Sequence, residues 1–203
     1  MPQLGATAVL AGFVVVTGIL IKRAMASETC TSADSRVSLG DGNSIPAVGF
    51  GMYYTPPGAV AYDIVKEAIK IGYRHIDTAQ MYENEETVGA ALDAHDVPRD
   101  EVFLTTKIWH DRLQHDDLLQ SLQESVNRLR VDAVDLALIH WPSPGDEVPM
   151  EEYIGALAEA KQRGLARHVG VSNFTVAQLE KARGLPGGEH VIGVRALHWK
   201  RSY

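Results

Sequence analysis

One cysteine, Cys30, is all that the 203 residues contain. Neither a disulfide framework nor a Cys-rich zinc site can be built from it. Basic residues are also scarce: 19 Lys and Arg against 26 Asp and Glu leave a formal net charge of -7. Nucleic-acid binding needs a basic face for phosphates, so this balance argues against it, although a local basic pocket for a phosphorylated cofactor stays open. No Gly-x-Gly-x-x-Gly follows the first strand-like run, so the usual signature of a doubly wound dinucleotide fold is missing. His75, His95, His110 and His115 share no metal-ligand spacing, and no metal is expected. Apolar residues are not scarce: they make up 45% of the chain, an ordinary share for a globular domain with a real core.

The N-terminus divides from the rest. Leu4 to Ile21 carries no charge and is followed at once by Lys22-Arg23. That length is about enough to cross a bilayer. Basic residues after the run, and none before it, suggest an N-out anchor with the remainder in the cytoplasm rather than a cleaved secretory signal. The competing reading is a translated leader foreign to a cytoplasmic protein. Ala24 to Arg36, rich in Ser, Thr and Ala, reads as linker, so residues 1–35 are expected to stand outside the domain.

From residue 36 the pattern becomes regular. Asp41-Gly42 between short apolar segments predicts a hairpin over Arg36 to Pro46. Ala47 to Met52, an apolar run with two glycines, suits a strand that something approaches closely. Ala61, Ile64, Val65, Ala68 and Ile69 share a helical face, and Gly72 stands where a C-terminal cap belongs. Strands are then expected at Tyr73 to Asp77, Val102 to Trp109, Val134 to Trp141 and Ala166 to Ser172, with helices between them. Thr175 and Gln178 have capping-box spacing for a last helix. This strand-helix alternation, repeated about five times, predicts a parallel sheet with helices outside it. The fold class expected is α/β of the (β/α)8 TIM-barrel type. A full barrel takes about 250 residues, so only some five to six βα units are expected here.

In a barrel, all strand carboxyl ends open on one mouth. Asp77, Lys107, His140 and Ser172-Asn173 lie at such ends, and Tyr82 follows Asp77 in a polar loop. Singly, each has a structural explanation: a turn cap, a rim lysine or a satisfied histidine. Together they have a use. Phenol, with a reference pKa of about 10, donates poorly at neutral pH, and an adjacent ammonium favours its phenolate. Lys107 beside Tyr82 would activate it, Asp77 would hold Lys107, and His140 could hold a carbonyl oxygen as hydride arrives at carbon. Trp109, Trp141 and Tyr53 would wall the pocket.

The run Gly72 to Gly89, with Leu104 to Trp109, Leu138 to Pro144 and Arg167 to Phe174, resembles the aldo-keto reductase family across Val37 to about Ala182. Ile139-His140-Trp141-Pro142-Ser143-Pro144 with Asp146-Glu147-Val148 is similar to the bacterial 2,5-diketo-D-gluconate reductases of B type. The resemblance implies Tyr82 as general acid, Asp77 and Lys107 as its activating pair, and His140 as the carbonyl-orienting group. It further implies Ser172 and Asn173 on the nicotinamide carboxamide, NADPH as cofactor, and small aldehydes, α-dicarbonyls or keto sugars as substrates. A complete barrel of this kind would be a monomer.

Past Arg183 the chain departs from the family's pattern. The Asn-Gln-x-Glu strand expected there is replaced by Gly187 to Tyr203. The expectation is a partial barrel over residues 36–192 and an aberrant tail over 193–203, from a shifted frame or a premature end. An inactive member of the family, or a membrane-tethered interaction protein, are the alternatives to a working reductase.

Overall fold

A computed structural model describes residues 13–15, 35–39 and 42–194. Of the Leu4 to Ile21 run, only Phe13–Val15 is described. It forms a short strand, β1, rather than part of a helix. The remainder of that run lies outside the described residues, as do Asp41 and 195–203. Among the described residues, no helix is long and apolar enough to cross a membrane.

The hairpin appears as β2 (Arg36–Ser38) and β3 (Ser44–Pro46), paired Val37 to Ile45. The alternation then runs β4 (Val48–Gly51), α1 (Ala59–Lys70), β5 (His75–Asp77), α2 (Glu85–Asp93), β6 (Phe103–Ile108) and α3 (His115–Arg128). It continues with β7 (Val134–Ile139), α4 (Met150–Gln162), β8 (Ala166–Ser172), α5 (Val176–Arg183) and β9 (Val191–Val194). The sheet order is β1-β4-β5-β6-β7-β8-β9. Every neighbouring pair from β4 to β9 is parallel, and β1 lies antiparallel on β4. This is the curled parallel sheet of a partial (β/α) barrel, with five crossover helices. β9 runs through Gly193 and Val194, so the sixth strand extends two residues into the stretch expected to be tail.

Helix ends follow their sequence signals. Gly72, at φ 110, supplies the left-handed turn after α1. At α5 the Thr175 hydroxyl accepts from Gln178 N, and the Gln178 side chain accepts from Thr175 N, closing the capping box.

Strand alternation sorts the core into two layers. Ile76, Leu104, Ile108, Ala137, Ile139, Val169 and Val171 pack outward against helix residues such as Val65, Leu122 and Leu157. Phe103, Leu136 and Leu138 point inward, where Ile45 of the hairpin covers them. The same inward parity carries His75, Asp77, Thr105 and Lys107. One register therefore supplies both an apolar plug and polar groups at the mouth.

His75 shows how tightly the interior is specified. Its ring lies where a side chain at Gly49 would be, since a Cβ there would come within 2.5 Å of Nδ1. Its Nε2 is 2.9 Å from Thr105 Oγ1. Burial lowers its pKa from 6.5 to about 4; the Asp77 charge opposes this to a smaller extent, and Lys107 adds to the lowering. The folded state thus binds this proton less readily than the unfolded chain. Its contribution to stability is full above the unfolded value of 6.5 and falls as pH drops toward about 4. The integrated loss is on the order of 3 kcal/mol. Urea unfolding of His75→Gln is expected to lose less stability than the parent between those two pH values. An unchanged acid slope would remove His75 from the account.

Candidate active site

The mouth is assembled from the ends of β5 through β8. β5 stops at Asp77, yet sheet bonding continues: Met52 N donates to Asp77 O at 2.9 Å, and Thr78 N to Thr105 O at 2.9 Å. The chain then makes a 3-10 turn, Gln80–Tyr82, closed by Tyr82 N on Ala79 O at 3.0 Å and ended by Glu83 at φ 57. Asn84 stands just before α2, but its side chain does not cap the helix. It is fully buried and donates from Nδ2 to Met52 O (3.0 Å) and Thr55 O (2.9 Å), while Oδ1 accepts from Thr78 Oγ1 at 2.6 Å. These bonds fix the tyrosine-bearing turn to the strand before it.

Lys107 is the centre of the site. Its Nζ donates to Asp77 Oδ1 in a short ion pair, to Thr78 O at 2.9 Å and to Tyr82 Oη at 3.3 Å. Lysine and aspartate are both buried, at 7% and 6% exposure. Burial pulls the ammonium's pKa down, but the Asp77 charge and the bonds to Asp77 and Tyr82 more than offset this, leaving it above its ordinary value. Lys107 therefore stays charged.

Tyr82 differs from the sequence expectation. Burial raises the phenol's pKa most, Lys107 lowers it, and Asp77 raises it again, for a net position above its ordinary value. The lysine acts in the expected sense but does not win, because the half-buried phenolate would lose water and meet the Asp77 charge.

His140 follows β7, its N–H bonded to Ile108 O at 2.9 Å. The imidazole stands edge-on to Tyr82, with ring centroids 5.6 Å apart, and to Trp109 at 5.1 Å. Asn173 ends β8 at φ 62, a conformation asparagine tolerates. Its Nδ2 donates to His140 O at 2.8 Å and to Ser172 Oγ at 3.3 Å, joining the ends of β7 and β8. Tyr53 packs on Tyr82 at 5.1 Å and on Tyr54 at 4.0 Å. Trp141, next to His140, is 38% exposed. Asp77, Tyr82, Lys107, His140, Ser172, Asn173, Trp109 and Tyr53 thus form one connected cluster.

Sequence reasoning missed several supporting groups. Glu85 is 2% exposed, accepts from Thr106 Oγ1 at 2.5 Å, and pairs with Arg128 at 2.7 Å. Gln80 bonds to the Trp109 N–H just past β6 and to α3. Their signal was an unusual density of polar residues between a buried strand and a helix. Nothing in linear order identified their partners.

A curled parallel sheet with charged and phenolic groups at its strand ends defines an α/β-barrel protein with a candidate catalytic mouth. Comparison with known proteins carries this to a family. The Aldo/keto reductase family matches residues 48–192, and the chain belongs to it. It is 51% identical over 148 residues to methylglyoxal reductase DkgB of Escherichia coli O157:H7, covering 73% of this chain and 55% of that protein. A structure named for 2,5-diketo-D-gluconic acid reductase B is 48% identical, with a TM-score of 0.63, covering 68% of this chain and 48% of the other. A Bombyx mori aldo-keto reductase solved in complex with NADP is 38% identical, with a TM-score of 0.67, over 74% and 54% of the two chains. The chain thus spans about half the length of the relatives it matches.

The two charges beside Tyr82 should move its titration in opposite directions. In Lys107→Met the phenol is expected to ionise at higher pH than in the parent, and in Asp77→Asn at lower pH. Tyrosinate absorbance, with Tyr82→Phe as the reference, reads both. Shifts of the reverse sign would contradict the assignment of these charges.

Proposed function

We propose that this chain carries the active site of an NADPH-dependent reductase of small aldehydes and ketones, with Tyr82 as the proton donor. Its substrates are α-dicarbonyls and keto sugars, 2,5-diketo-D-gluconate among them. The observation that carries this reading is the Lys107 ammonium, which bonds a buried carboxylate and a phenol on the mouth shared with His140. The names of the relatives favour the same chemistry. One is a methylglyoxal reductase, another is named for a diketogluconic acid reductase, and a third was solved with NADP.

The residues at the end of β8 fit a nicotinamide. A serine hydroxyl and an asparagine amide side by side offer both a donor and an acceptor to a carboxamide. They are joined to the imidazole-bearing strand end. When bound, NADPH supplies the hydride to the carbonyl carbon. Everything else falls to the chain. Tyr82 holds its proton at neutral pH, as a donor must, because burial keeps the phenol neutral. As negative charge grows on the substrate oxygen, the phenol proton passes to it. The phenolate left behind is stabilised by an ammonium already in place 3.3 Å away. Asp77 keeps that ammonium charged and prevents it from swinging away. His140 holds the carbonyl oxygen beside the phenol, and Trp109 and Tyr53 restrict the approach. Trp141 would wall the outer side of the pocket.

Purified protein is expected to consume NADPH in the presence of methylglyoxal. Tyr82→Phe, with its far-ultraviolet circular dichroism unchanged, is expected to lose at least about a hundredfold in kcat/KM. No NADPH oxidation by the parent with either methylglyoxal or a diketo sugar would reject the proposal.

A further inference from the structure

Gln80 bonds from the mouth to two separate elements at once, the backbone just past β6 and helix α3, without touching the reacting groups. It opens the 3-10 turn whose third residue is Tyr82. Its Oε1 accepts from Trp109 N at 3.1 Å, two residues beyond Lys107. Its Nε2 donates to Ser125 Oγ at 3.0 Å, Ser121 O at 3.1 Å and Ser121 Oγ at 3.3 Å, all on α3. Those acceptors are themselves held in place. Ser121 Oγ donates to Leu118 O, Ser125 Oγ to Ser121 O, and Arg128 donates to Ser125 Oγ while pairing with buried Glu85.

The geometry links this amide to both halves of the site. Through the turn it sets the height of Tyr82 over Lys107, whose Nζ is 3.3 Å from the phenol and 4.8 Å from the ring centre. Through the Trp109 backbone it sets the indole that stands edge-on to His140. We propose that Gln80 is a positioning residue for the proton donor. It clamps the Tyr82 turn to the end of β6 and to α3, and so fixes the spacing between phenol, ammonium and imidazole. This rests on the reductase reading for its kinetic consequence, but not for its geometric one.

The physical reason is the weakness of the alternatives. Tyr82 lies on a single 3-10 turn, which is held by one backbone bond to Ala79 and one from Glu83 to Gln80. Its aromatic neighbour on the open side, Tyr53, is 50% exposed. Tyr82 packs against the core, and Asn84 bonds Met52 O, Thr55 O and Thr78 Oγ1 behind the turn, but those bonds reach neither β6 nor α3. An amide uses both its acceptor and its donors to tie the turn to two rigid elements. Methionine at the same place would fill the same space and make none of these bonds.

Two variants test the clamp in the full chain. Gln80→Met removes every bond and keeps the volume. Ser121→Ala with Ser125→Ala removes the two hydroxyl acceptors on α3 and keeps the bond from Trp109. In both, the phenol is expected to move away from Lys107. Tyrosine-labelled NMR, with Tyr82→Phe for assignment, should then show Tyr82 ionising about half a pH unit or more above the parent, more so in Gln80→Met. With NADPH and methylglyoxal, kcat/KM is expected to fall about ten- to a hundredfold in Gln80→Met. A Tyr82 titration within about 0.2 pH unit of the parent's in both folded variants overturns the proposal, whatever the rates do. If Gln80→Met does not fold, the serine variant alone decides by the same criterion. Should the parent itself consume no NADPH, the reductase reading fails while the NMR titration still tests the clamp.

Discussion

The structure around the mouth depends on a lysine being kept charged inside a barrel. Lys107 comes from a strand buried on both faces, and its ammonium has left most of its water behind. Such a charge is tolerated only with a partner and further hydrogen bonds, and Asp77 and Thr78 O supply them. The arrangement demands that β5 and β6 keep one register, since a one-residue slip would turn Lys107 toward the helices. That register places Asp77 opposite Thr105, so the longer lysine side chain reaches back to it from two residues further along β6. The Tyr82 turn, the Asn84 side chain and the close approach of His75 to Gly49 all serve to keep these strand ends where they are.

The electrostatics of the phenol illustrate why proximity alone does not give direction. A cation next to a tyrosine suggests a more acidic tyrosine, and that influence is present. Burial and a nearby carboxylate exceed it. For a proton donor this is the useful sign, because the proton is retained until negative charge appears on the acceptor. In the proposed transfer the ammonium would act on the phenolate left behind rather than on the resting phenol.

Much of the scaffold was legible in the chain. Apolar runs at Val134 to Ile139 and helical spacing at Leu118, Leu122 and Val126 are local patterns, and they become β7 and α3. The capping box at Thr175 and the glycine after α1 are likewise local, since each acts within a few residues. The candidate groups were legible too, because strand ends in a parallel barrel share a side. The apolar N-terminal run was less so. Its described residues, Phe13–Val15, pair with β4, a partner more than thirty residues away in sequence and so outside any local pattern.

By itself the sequence determined the order of the elements from the hairpin to α5, the family and the identities of Asp77, Tyr82, Lys107 and His140 as groups at one mouth. These follow from periodicity and from motifs written in contiguous residues. Only the tertiary structure decided which of them touch, which way the phenol's acidity moves, and that Gln80, Asn84 and Glu85 are held by partners on other elements. The reason is physical. Burial, and the distances between charges from separate strands, exist only once the sheet has curled and set its register.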